Sequence, residues 1–295
     1  MVRITGIFPP VPTPFDEQGE LKLDALQSNI QALVAAGVDG VVLLGSNGEY
    51  PLLDEEEKKA VIAAGLQALP PGRLGLVGVG AESTRAVIRL AEFAARHGAA
   101  AVLVVSPSYY KPMMTREVLR RFYLEVAEAS PVPVVLYSVP RFTGYDLPAD
   151  LVVELAHHPN ICGLKDSSGD VVRLQGYVDR CPPGWSVLVG HGSALYPALA
   201  VGAAGGVLAL ANVAPAETVR LYRLFRSGEW EAARRLQAAL TPVNEAVTAR
   251  FGIPGVKAAM DLRGLYGGPP RRPLLPLDPA AREELRGILA RAGLL

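Results

Sequence analysis

Short apolar runs alternate with stretches of helical spacing about eight times along the first three-quarters of this 295-residue chain. The spacing predicts strands at 4–8, 38–44, 74–79, 100–105, 132–138, 161–165, 186–189 and 206–210. Helices are expected between them, at 23–36, 54–69, 83–97, 115–129, 148–157, 170–180, 194–201 and 215–226. In the first helix Leu26, Ile30, Leu33 and Val34 share a face, and Gly37 ends it. Asp54 followed three residues later by Glu57 reads as a capping box. Repeated strand–helix units with short connections imply a parallel sheet, and about eight of them close into a barrel.

The fold class expected is therefore α/β, a (β/α)8 TIM barrel over residues 1–226 that carries the active site. From 227 to 295 no further strands are predicted. Helices at 229–249, 253–263 and 279–292 form a C-terminal helical extension. A doubly wound sheet is the alternative, but Gly78-Val79-Gly80 lacks the third glycine of a dinucleotide-binding turn.

Composition narrows the function classes. Half the residues are hydrophobic, enough for a large core, and 29 basic residues balance 29 acidic ones. No basic run points to nucleic acid or an anionic membrane. Residues 194–216 carry no charge and are long enough to span a bilayer, but Pro197, Asn212, Pro215 and several glycines break them into barrel elements. The first residues have no signal-peptide pattern, and the two cysteines, Cys162 and Cys181, form no C-x-x-C pair. A reduced, cytoplasmic setting is expected. The four histidines make no H-x-H or H-E-x-x-H pattern and no G-x-S-x-G elbow is present, so neither a metal site nor a serine hydrolase is expected.

In such barrels chemistry gathers at the carboxyl ends of the strands. Those ends offer Ser46 and Asn47, Tyr109 and Tyr110, Tyr137 and Ser138, Lys165 and Ser167, Gly190 and His191, and Leu208. Lys165 closes the run Ile161-Cys162-Gly163-Leu164. A lysine held among apolar neighbours is driven towards its neutral amine, which can attack a ketone and form a Schiff base. Tyr137 is a candidate general acid and base. Gly45-Ser46-Asn47-Gly48 offers flexible N–H groups suited to a carboxylate. Together these suit carbonyl chemistry on a small 2-oxo acid with no cofactor.

Four motifs stand in order: Gly45-Ser46-Asn47-Gly48-Glu49, Pro107-Ser108-Tyr109-Tyr110-Lys111-Pro112, Leu136-Tyr137-Ser138-Val139-Pro140 and Gly163-Leu164-Lys165-Asp166-Ser167. As a set the chain resembles the dihydrodipicolinate synthase / N-acetylneuraminate lyase family of class I pyruvate aldolases, over essentially its whole length. The first, third and fourth of these motifs with the late run Ala249-Arg250-Phe251-Gly252-Ile253-Pro254-Gly255, and Tyr266-Gly267-Gly268-Pro269 besides, make it most similar to the 4-hydroxy-2-oxoglutarate aldolases of that family.

The resemblance implies that Lys165 is the Schiff-base lysine and Tyr137 the proton-transfer tyrosine. It puts Ser46 and Asn47 on the pyruvate carboxylate and proton relay, and Gly190 and Leu208 along the pyruvyl pocket. Tyr110 matches a tyrosine that reaches a neighbouring subunit's site, which implies a homo-oligomer, a tetramer or dimer. The expected activity is reversible cleavage of 4-hydroxy-2-oxoglutarate to pyruvate and glyoxylate. Alternatives are 4-hydroxy-tetrahydrodipicolinate synthase, a 2-keto-3-deoxy sugar-acid aldolase or dehydratase, and a non-catalytic 2-oxo-acid sensor. The chain departs from the synthases in two places. Phe142 stands where they carry an arginine for the aldehyde's carboxylate, with Arg141 one step earlier, and Ser46-Asn47 replaces two threonines. Ser167 and Arg141 are the candidates for gripping a distal carboxylate.

Overall fold

Eight apolar runs pair edge to edge, all parallel, in the computed structural model, which describes residues 3–295. They are β1 (Gly6–Phe8), β2 (Gly40–Leu43), β3 (Leu74–Gly78), β4 (Ala101–Val105), β5 (Val134–Ser138), β6 (Ile161–Asp166), β7 (Ser186–Val189) and β8 (Gly205–Val207). Only Leu74 among all these residues is less than fully buried, because helices cover the outside while side chains fill the inside. The strands neighbour one another in chain order from β2 to β8, and β8 pairs back to β1. The remaining seam, β1 to β2, has no ladder. Its place is taken by a Pro10–Val42 bridge, with Val11 N–H donating to Val42 O and Val42 N–H to Pro9 O, both at 2.9 Å. Prolines 9 and 10 have no N–H to donate, so this seam stays thin.

The barrel helices are α1 (Leu23–Ala35), α2 (Glu55–Gln67), α3 (Thr84–Arg96), α4 (Arg116–Ala129), the single turn α5 (Pro140–Thr143), α6 (Ala149–Leu155), α7 (Val171–Arg180), α8 (Leu195–Ala200) and α9 (Pro215–Arg226). The capping box is present: Asp54 accepts the Glu57 N–H at 2.8 Å, and the Glu57 carboxylate accepts the Asp54 N–H at 2.9 Å. Ser83, Thr115 and Asp170 cap α3, α4 and α7 with a single bond each, accepting the N–H three residues on. Two apolar layers result, one inside the barrel around Phe8, Val42, Leu103 and Val135, the other between strands and helices. No helix of the described residues is long and apolar enough to cross a membrane, and the uncharged stretch 194–216 holds α8, β8 and a 3-10 turn.

The C-terminal helices are α10 (Trp230–Glu245), α11 (Gly252–Leu262) and α12 (Pro279–Arg291). Two expected elements give way to a different turn at their ends. The eighth strand ends at Val207, and residues Ala209–Asn212 form a 3-10 turn pinned by Asn212 Nδ2 donating to Pro10 O at 3.0 Å. The helix expected over 229–249 is α-helical only to Glu245 and continues as a π turn, Ala246–Arg250, closed by Phe251 N–H donating to Ala246 O at 2.9 Å. Side-chain bonding to the backbone there competes with the α ladder, since Thr248 Oγ1 donates to Asn244 O at 2.6 Å.

Candidate active site

The strand that carries Lys165 is irregular, and the irregularity decides where the lysine points. Along the β5–β6 ladder Val134 faces Ile161 but Val135 already faces Gly163, so β6 has one extra residue at Cys162. Ile161 and Leu164, three apart, both pack outward under the helices, and Cys162 packs inside the barrel. Strict alternation from Cys162 would aim residue 165 outward. The bulge resets the parity and turns Lys165 in, beside its register partner Tyr137. Gly163 has no alternative at this bulge, since a Cβ there would lie 2.5 Å from Ser186 O.

Lys165 is 3% exposed and its Nζ lies 4.0 Å from the centre of the Tyr137 ring. No carboxylate among the described residues comes within ion-pair distance of it. The Tyr137 hydroxyl is 3.1 Å from Ser46 Oγ, a hydrogen bond in which either oxygen can donate. These three side chains open into a cavity of about 490 Å³ at the carboxyl ends of the strands, shared with Asn47, Ser167, Gly190 and His191.

Ser46 and Asn47 start a 3-10 turn, Ser46–Gly48, whose leading N–H groups have no acceptor within the turn. Asn47 Nδ2 is buried without a hydrogen-bond partner, a free donor on the cavity wall. The turn is bracketed by Leu44 and Glu49, which hold left-handed backbone angles, φ 53° and 56°, without being glycine. On the opposite wall, Ser167 Oγ occupies the space a Cβ on Gly190 would need, 2.0 Å away. Only glycine at 190 lets that hydroxyl stand there. Behind the lysine, Asp166 Oδ1 accepts from Ser168 N–H at 2.7 Å and Ser168 Oγ at 2.5 Å, while Oδ2 has no partner. Burial pushes this carboxyl above the usual carboxylate range. Burial also pushes the His191 imidazole, another wall residue, below its ordinary value.

Of the expected site residues, Leu208 and Tyr110 do not line this chain's own cavity, Tyr110 being the one expected at a neighbouring subunit's site, and Arg141 stands on the rim with its donors engaged. Leu208 is fully buried between barrel and helices, and its neighbours Val207 and Ala209 reach the cavity instead. Tyr110 is 66% exposed, packed edge-on against Tyr109 at 5.0 Å, away from the cavity. Arg141 borders the cavity, but its guanidinium donates to Thr248 O at 3.0 Å and Ala249 O at 3.4 Å, the carbonyls of the π turn. The other arginine on the rim, Arg250, is paired with Glu284.

Sequence reasoning missed the outer wall. Asn244 and residues 247–254 line the cavity, so the C-terminal extension builds part of the site. The run Ala249–Gly255 was the available signal, but pattern alone gives it no direction. The buried pair of Glu49 and Lys257, 2.7 Å apart, was missed too.

A parallel (β/α)8 barrel with a buried lysine facing a cavity beside a tyrosine ring, at the carboxyl ends of the strands, defines the class: a barrel enzyme with its site at that mouth. Comparison with known proteins makes this more particular. Residues 3–292 match the model of the dihydrodipicolinate synthetase family, and the chain belongs to that family. Its members are carbon–carbon lyases of the class I, pyruvate-dependent aldolase type. The chain is 38% identical to a 4-hydroxy-tetrahydrodipicolinate synthase of Methanoculleus marisnigri, over 98% of this chain and 99% of that one. It is 41% identical to an uncharacterized DapA-like lyase of Halobacterium salinarum, over 98% and 94%. A prophage protein of E. coli K12 in the dihydrodipicolinic acid synthase family, solved with pyruvate, superposes with a TM-score of 0.94 at 31% identity, covering 99% of each chain.

Proposed function

We propose that this enzyme cleaves 4-hydroxy-2-oxoglutarate reversibly to pyruvate and glyoxylate through an imine on Lys165. The observation that carries the imine is the Lys165 side chain itself: buried, free of any carboxylate, and 4.0 Å from the ring of a tyrosine that hydrogen-bonds Ser46. The amine attacks C2 and water leaves, giving an iminium. Tyr137 takes the proton of the C4 hydroxyl, with Ser46 relaying protons to it. The C3–C4 bond breaks, its electron pair passes into an enamine, and glyoxylate departs. Protonation at C3 and hydrolysis return the free lysine and pyruvate. Asn47 and the leading N–H groups of its turn receive the carboxylate of the pyruvyl unit.

The choice of glyoxylate rests on what holds the second carboxylate. Phe142, 59% exposed, stands at the synthases' arginine position, and Arg141 and Arg250 are engaged by backbone carbonyls and Glu284. The neutral donor that remains, Ser167, lines the cavity two residues beyond Lys165 and suits a two-carbon acceptor. A second reading has its own support: relatives matched over nearly the whole chain carry the name 4-hydroxy-tetrahydrodipicolinate synthase, which would join pyruvate to aspartate semialdehyde. Borohydride with pyruvate should add one reduced pyruvyl group to Lys165. The ratio of kcat/KM for glyoxylate over aspartate semialdehyde then decides; a ratio below one transfers the assignment to the synthase. A 2-keto-3-deoxy sugar acid in the same assay tests the remaining family chemistry. The exposed cluster of Tyr109, Tyr110 and Met113 supports a homo-oligomer, which light scattering of the purified protein would test.

A further inference from the structure

The catalytic turn is held from below by a buried ionic assembly that the reaction as described does not use. Glu49 follows the turn directly and is 1% exposed. Its Oε1 is 2.7 Å from Lys257 Nζ of α11, and its Oε2 accepts the Arg271 N–H at 2.7 Å. Lys257, also 1% exposed, donates to Pro269 O at 2.8 Å and lies 4.5 Å from the centre of the Phe15 ring. The Arg271 guanidinium covers Phe15 at 4.3 Å and pairs with Glu57 of α2 at 2.8 Å. Thr13 Oγ1 donates to Gly48 O at 2.6 Å. Lys257 and Arg271 thus hold Glu49 directly, Phe15 and Pro269 hold those two, and Thr13 holds the preceding Gly48, while the Glu49 backbone is left-handed at φ 56°.

A left-handed glutamate is unfavourable by itself and persists only where surroundings over-determine it. If the side chain is released, the backbone at 49 can relax, and Ser46 lies only three residues away. We propose that Glu49, held by Lys257, is a positioning residue for catalysis: the pair fixes the 46–48 turn so that Ser46 Oγ stays within hydrogen-bond range of Tyr137 and Asn47 faces the cavity. The C-terminal extension then acts on the reaction through a buried charge pair as well as through the cavity wall. This rests on the reading of Ser46 and Tyr137 as a proton relay, but not on the identity of the aldehyde.

The test uses pyruvate alone. Exchange of its methyl protons with deuterated water, followed by NMR, reports enamine formation at Lys165 without any acceptor. Ser46→Ala should slow exchange about a hundredfold, and Glu49→Gln about tenfold or more through misplacement. Because both act through one contact, the double variant should be no slower than Ser46→Ala alone, and both single variants should move the same limb of the pH–rate profile. Glu49→Asp should recover part of the loss. Multiplicative effects in the double variant overturn the proposal while leaving the relay standing. An unchanged rate in Ser46→Ala overturns the relay and the proposal together. Should Glu49→Gln fail to fold, the same cycle with Lys257→Arg, which keeps the charge and alters its reach, decides by the same criterion.

Discussion

Two lysines of this protein are buried to nearly the same degree and each lies over an aromatic ring, yet they are opposites. Lys257 faces Phe15 with its charge matched by Glu49 and a backbone carbonyl. Lys165 faces Tyr137 with no carboxylate in reach and a cavity in front of it. Burial penalises an ammonium group. At Lys257 the penalty lowers the ammonium while the Glu49 charge holds it back, and burial lifts Glu49 while Lys257 restrains it. The lesson is that burial alone does not make a nucleophile. The proposed role of Lys165 needs an amine unmatched by a carboxylate and space for a carbonyl carbon beside it.

The comparison can be broken most directly at the lysines. Lys165→Met should abolish borohydride trapping and lower turnover by about 10⁴-fold or more, while thermal stability holds or rises by ~0.5–2 kcal/mol. Measurable trapping in that variant would remove the lysine from its role. Tyr137→Phe makes the surroundings of Lys165 more like those of Lys257, since the ring stays and only the hydroxyl goes. Turnover should fall by about 10²–10⁴-fold with the structure intact; steady-state kinetics beside a circular dichroism spectrum would check it. Lys257→Met works the other way. It strands a buried carboxylate and should cost ~3–5 kcal/mol, read by chemical denaturation, with Lys165 still trappable in the folded fraction.

The smallest effect sharpens the point about unmatched charge. Asp166 is buried behind Lys165, and no cation among the described residues touches it. Desolvation outweighs the Ser168 hydrogen bonds and lifts its carboxyl. The folded chain therefore holds that proton more tightly than the unfolded chain does. The stability it brings is present in acid and is lost as pH rises through the folded-state value above the ordinary carboxylate range. Asp166→Asn should thus stabilise the protein at pH 7, by of order 1 kcal/mol, and less at pH 4. Equal shifts in melting temperature at both pH values would contradict this.

Much of the barrel is legible in the sequence because the signals are local. The Asp54–Glu57 box, the valine-rich runs of β4 and β5 and the helical stripes of α1 and α4 each arise within a few residues. Lys165, Tyr137 and Ser46 are likewise legible as ends of strands, and the folded chain brings them together. Arg141 was legible as a cation near the mouth but not as one whose donors go to Thr248 and Ala249, 107 and 108 residues away. Leu208 illustrates a different limit. Its position after β8 is clear, but one residue of phase separates a cavity wall from the outer core.

The order of apolar runs and helical stripes by itself determined a closed parallel barrel with a lysine at the end of its sixth strand, since hydrophobic period and chain turns are written residue by residue. Only the tertiary structure decided that the lysine points inward, through an extra residue at Cys162 whose placement depends on pairing with β5. It also decided that a glutamate beside the Ser46–Gly48 turn would be held by a lysine 208 positions later in the chain. Strand register and buried charge pairing are properties of contacts between distant segments, and no local pattern encodes them.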